Sequence, residues 1–80
     1  MPLPQIGGSA LAHGPWPGCL GLEGSQCAAL IESYAADVSG NVEIITPEME
    51  DLVADDFDMH RVRIYVDKDG NVARIPVRGR

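Results

Sequence analysis

The chain reads as an α+β domain: a single helix packed on a small mixed β-sheet, with a long exposed loop. Three observations point there. One segment carries apolar residues at helical spacing, three short segments are rich in β-formers, and residues 47–60, between two of those strands, show no regular pattern of their own. A chain of 80 residues has room for one domain, since a domain typically takes roughly 100–200 residues.

Residues 1–18 hold four prolines and four glycines, which predicts a flexible N-terminal segment over 1–13 and a folded domain over 14–80. Trp16, the sole tryptophan, is expected to open the core. A helix is predicted over 24–38. Ser25 or Glu23 can cap it, and Cys27, Leu30, Ile31 and Tyr34 fall at i, i+3, i+4 and i+7, which makes one apolar face. Ser39, Gly40 and Asn41 stop it. Residues 42–46 form a β-rich run closed by Pro47. Residues 61–66 alternate, with Val62, Ile64 and Val66 facing one way and Arg61, Arg63 and Tyr65 the other. Residues 67–71 make a turn, and 72–75 a last strand ended by Pro76.

Residues 47–60 remain as a loop. Structureless connections longer than about 12–15 residues are uncommon in compact domains and tend to be functional. Strong strands on both sides fix its ends, and an arching connection lets those strands lie parallel. Arg61 and Arg63 then share a sheet face at the loop's returning foot.

The charge is unevenly placed. Net charge is −6 and pI is near 4.5, which excludes nucleic acid as the partner, because phosphate binding needs a basic surface. Every Lys and Arg lies after position 60, whereas Glu43, Glu48, Glu50, Asp51, Asp55, Asp56 and Asp58 form an acidic run without a base. No apolar run reaches the roughly 18 residues of a membrane span. No signal peptide is visible, which suggests a cytoplasmic protein, or a secreted one if this is a processed form. No nucleophile, base and orienting acid share a plausible site, so an enzyme is not expected. A small binding protein, monomeric and without a cofactor, fits these limits.

Four segments resemble the potato inhibitor I family of serine protease inhibitors. Trp16, Pro17 and Gly21 are similar to the family's Trp-Pro-Glu-Leu-Val-Gly lead into the helix. "VADDFD" (Val53 to Asp58) sits where the family has its binding loop. "RVRIYVD" (Arg61 to Asp67) is similar to the Arg-Val-Arg core strand, and "GNVARIPVRG" (Gly70 to Gly79) to the closing strand. The resemblance implies a rigid, substrate-like loop with its reactive bond between Asp55 and Asp56, six residues before Arg61. Leu52, Val53 and Ala54 would contact the protease ahead of that bond, and Phe57 and Asp58 after it. Arg61 and Arg63 would support the loop through the Asp56 carboxylate by charge-assisted hydrogen bonds. The implied partner is a serine endopeptidase of subtilisin, chymotrypsin or glutamyl-endopeptidase type, meeting about 800 Å² of this chain. Ala54 stands where the family usually has Thr, Asp58 where arginine is common, and Gly18 and Cys19 where Glu-Leu is usual.

Asp55 at the primary position asks for a basic specificity pocket, since an unpaired carboxylate in an apolar pocket costs several kcal/mol. The alternative is a non-inhibitory interaction module that binds a basic partner through its acidic loop. Asp51, Asp55, Asp56, Asp58 and His60 lack metal-ligand spacing, and Asp67, Asp69 and Gly70 lack the rest of a calcium loop, so no metal is expected. Cys19 and Cys27 read either as a disulfide tying the helix to the segment before it or as two reduced core thiols. His13 belongs to the N-terminal segment and His60 to a strand edge.

Overall fold

The structure is a computed structural model that describes residues 12–80. The flexible segment expected over 1–13 therefore lies, up to residue 11, outside the described residues.

A single-turn 3-10 helix at Pro17–Cys19 leads into helix α1 (Gly24–Tyr34), and a second 3-10 turn (Ala36–Val38) follows it. Strand β1 (Val42–Ile45) comes next, then a 3-10 helix (Pro47–Leu52), the loop and strand β2 (Val62–Tyr65). Glu23 is the N-cap of α1, and its backbone N–H donates to the Gln26 side chain at 3.3 Å, half of a capping box. The helix starts hard against the sheet. A Cβ on Gly24 would sit 3.0 Å from Val66 and 3.3 Å from Ile44, so only glycine permits this approach without a shift.

The helix ends four residues sooner than the expected 24–38. Ala35 leaves helical geometry at φ −126° and ψ 80°, and the 3-10 turn then swings Val38 into the core, where it is fully buried. This also corrects the inward face. Cys27, Ile31, Ala35 and Val38 fill it, whereas Tyr34 is 44% exposed and Leu30 only partly buried.

β1 and β2 run parallel, in the register Val42↔Val62, Glu43↔Arg63, Ile44↔Ile64 and Ile45↔Tyr65. Val62, Ile64 and Val66 bury their side chains against α1 and Trp16, as the alternation requires. The final segment is not a strand. It makes isolated antiparallel bridges, Val66↔Val72 and Val62↔Arg78, and Ala73 donates to the Tyr65 carbonyl. Between the bridges, Pro76 has no N–H to give, and Arg74 and Ile75 turn outward, with Arg74 stacked 4.0 Å over the Tyr65 ring. The mixed character of the sheet thus comes from bridges flanking a parallel pair.

Cys19 and Cys27 form a disulfide with a Cα separation of 5.3 Å, and both are fully buried. The bond joins α1 to the turn that carries Trp16, and no cysteine is free.

Candidate functional site

Residues 47–60 divide in two. Pro47–Leu52 winds into a 3-10 helix, with Pro47 at its first position, which corrects the expectation of a wholly irregular loop. Proline suits that position because the missing N–H is an orphan there anyway. Residues 53–60 carry no regular structure and lead to β2.

The outer surface of this segment is strongly exposed: Leu52 at 82%, Phe57 at 67% and Met59 at 58%. Val53 is half-buried, and Ala54, Asp55, Asp56 and Asp58 are exposed. Among the described residues, no partner holds the Asp55 carboxylate. Asp58 accepts from the His60 backbone N–H at 2.9 Å.

Arg63 of β2 and Arg61, just before that strand, reach the loop from beneath. Arg63, only 8% exposed, spends its fork on three acceptors. Nη1 donates to the Ala54 carbonyl at 2.9 Å, Nε to Glu43 at 3.2 Å and Nη2 to the Asp56 carboxylate at 3.4 Å. Arg61 donates through Nη2 to the Asp56 carbonyl at 2.8 Å and through Nη1 to its carboxylate at 3.3 Å. The shortest contacts therefore go to backbone carbonyls on either side of the Asp55–Asp56 bond, and the carboxylate takes the longer ones. The period-2 pattern told which face the arginines share but not which acceptors they meet.

The Asp56 carboxyl is held below its ordinary value, chiefly by the hydrogen bond from Arg61, with burial opposing and Arg63 adding a smaller pull. A gap of about 690 Å³ lies under the arch, lined by Val53, Asp56, Arg63, Tyr65 and Arg74 among others. Arg74 closes one side of it through an ion pair with Glu50.

Other contacts at this site had no sequence signal. Gly79 closes the loop's far side: its carbonyl accepts from the Asp58 N–H at 3.2 Å and from Arg61 at 3.3 Å, and its N–H donates to the Arg61 carbonyl at 2.8 Å. Gly79 has φ +92°, and a Cβ there would fall 2.5 Å from the Phe57 ring. Arg78 meets Asp37 and the Met59 carbonyl. The sequence predicts a strand over 72–75 but none of these contacts, because partners so far apart in the chain leave no local pattern.

The sequence model of the potato inhibitor I family matches residues 8–79, nearly the whole chain. A comparison with curated proteins gives no match. The chain belongs to the potato inhibitor I family, a family of serine protease inhibitors.

Proposed function

We propose that this protein inhibits a serine endopeptidase by offering Leu52 to Asp58 as a substrate-like loop whose reactive bond is Asp55–Asp56. One observation carries the reading: Arg63 grips the Ala54 carbonyl and Arg61 the Asp56 carbonyl. The residues flanking the bond are thus fixed independently of whether the bond is intact. A loop that is already ordered loses little entropy on entering a protease cleft. Once cut, its new carboxyl and amino ends stay beside each other, which favours religation over release. The chain performs no chemistry of its own; the nucleophile and base belong to the protease.

Asp55 is the residue that enters the specificity pocket. Its exposed carboxylate, without a partner among the described residues, must meet a positive group there, because burying it unpaired costs several kcal/mol. The target class is a glutamyl-type endopeptidase or a subtilisin-like protease that cuts after aspartate. The second reading, an interaction module for a basic partner, is favoured by Glu48, Asp51 and Asp55, which are exposed and have no internal cation among the described residues.

Assays against a glutamyl endopeptidase, a subtilisin and chymotrypsin in parallel test this. The expected result is tight inhibition of at least one of the first two, with slow cleavage at Asp55–Asp56 alone. Rapid cleavage at several loop bonds, or no effect on any of the three, favours the interaction module.

A further inference from the structure

We propose that Arg78, oriented by Asp37, is a third positioning residue for the loop beside Arg61 and Arg63, acting on its returning foot independently of Arg63. The importance of that foot for inhibition rests on the reading above; the contact itself does not. The Arg78 side chain is 13% exposed, and its fork is shared among three segments. Nη1 donates to Asp37 Oδ2 at 2.7 Å and to the Met59 carbonyl at 2.8 Å. Nη2 donates to Asp37 Oδ1 at 3.2 Å and to the Ala12 carbonyl at 2.5 Å.

The pairing with Asp37 is two-pronged, the geometry in which a planar guanidinium is fixed in direction as well as place. Asp37 belongs to the 3-10 turn after α1, so the helix end aims the cation and the cation holds the loop. Arg78 Nε is buried without a partner among the described residues. A buried N–H left unmade is unfavourable, so the contacts of the two Nη atoms set the side chain's position. His60 adds to the same corner, with Nδ1 3.1 Å from Asp37 Oδ2.

Arg61 and Arg63 brace Ala54 and Asp56, around the expected reactive bond; Arg78 braces Met59, downstream of it. The two sets share no acceptor residue. In a cut inhibitor, the segment that begins at Asp56 would be held at Asp56 by Arg61 and at Met59 by Arg78. Effects of removing Arg63 and Arg78 should therefore add, since these two share no partner.

Amide hydrogen exchange on the free protein reads the contact without any protease. Arg78→Met keeps the aliphatic stem and removes the fork. Exchange at His60 and Arg61, whose N–H groups bond within the foot, should rise about tenfold, the low end for a charged donor on a carbonyl. Exchange at Val66 in the core should stay near wild type. Arg78→Lys should not restore protection, because an ammonium cannot span Asp37 and Met59 as a fork does. Unchanged exchange at the foot, an equal rise in the core, or full rescue by lysine would each overturn the proposal. With the protease that cleaves the wild type at Asp55–Asp56, the increase in that cleavage rate for Arg78→Met combined with Arg63→Met should equal the product of the single increases. A double variant no faster than the worse single one would overturn the independence claimed here. If exchange behaves as expected but the wild type inhibits none of the three proteases, the inhibitor reading falls and the positioning role stands.

Discussion

Arg63→Met is the sharpest test of how the loop is held. Arg63 makes three contacts, but they are unequal. Asp56 and Glu43 side chains are 60% and 53% exposed, so water screens both ion pairs and little stability can be assigned to them. The Asp56 contact at 3.4 Å is also at the long edge of hydrogen-bond range. The 2.9 Å bond to the Ala54 carbonyl is left, a charged donor on a neutral acceptor, worth about 1.5 kcal/mol. That corresponds to about tenfold in the population of a loosened loop. Methionine keeps the stem packed on the sheet and leaves no large cavity. With Arg61 still on the Asp56 carbonyl, only the side of the loop before the bond should loosen. Incubation with the protease that cleaves the wild type at Asp55–Asp56, followed by mass spectrometry, should show that cleavage accelerated about tenfold. The inhibition constant should weaken in parallel. Thermal unfolding should remain one cooperative step with Tm lower by about 6–12 °C. A Tm loss of that size with no change in cleavage would refute the reasoning, because it would make Arg63 a support of the sheet alone.

Asp55→Leu should move inhibition toward chymotrypsin and subtilisin, since it replaces a charge that needs a basic pocket with an apolar side chain; an unchanged profile against all three proteases would remove Asp55 from the primary position. Replacing Cys19 and Cys27 together by alanine should cost about 2.5 kcal/mol in urea unfolding, from the short loop they close, and a loss well below 1 kcal/mol would show that core packing compensates for the missing crosslink. Gly79→Ala should cost about 1–2 kcal/mol, because φ +92° is a left-handed conformation, and should displace the Phe57 ring; unchanged stability and ring shifts would show that the C-terminal segment is not packed beneath the loop. The Asp56 carboxyl should titrate below its ordinary 3.8. Its stabilising contribution is then complete above that value and lost as pH falls through the lower folded one. Arg61→Met should raise the midpoint back toward 3.8 more than Arg63→Met does, as carboxyl carbon NMR would show, and equal midpoints in wild type and Arg61→Met would refute the assignment.

The parallel strand pair was legible because residues 61–66 alternate in type: Val62, Ile64 and Val66 face the helix, and Arg61 and Arg63 take the opposite face, beneath the loop. The loop was legible by subtraction, as a long stretch with fixed ends. The end of α1 was not. Tyr34 sits on the apolar spacing of an ideal helix, but the chain leaves that helix at Ala35, and a smaller side chain, Val38, takes the core place. The last segment looked like a strand by composition, yet the outward turn at Arg74 and the proline at 76 restrict it to single bridges. The corner joining Asp37, Met59 and Arg78 brings together residues from three parts of the chain. No spacing rule reaches across such distances; only the folded chain shows that a carboxylate after the helix faces an arginine near the C-terminus.

The placement of the disulfide has a bearing on the severed molecule. Both cysteines precede β1, so the bridge ties the upstream part of the chain only to itself. A break anywhere in residues 53–60 therefore yields two peptides with no covalent link between them. They stay joined through the β1–β2 ladder, the apolar contacts of Val62, Ile64 and Val66 with the helix, the ion pair of Arg78 with Asp37, and backbone hydrogen bonds between residues 70–76 and 16–24. The upstream peptide keeps its crosslinked helix but loses the strand that covers it, and the downstream peptide carries β2 without a core. Each is the missing half of the other, so two separately synthesised peptides divided at this point are natural candidates for reassembly by simple mixing.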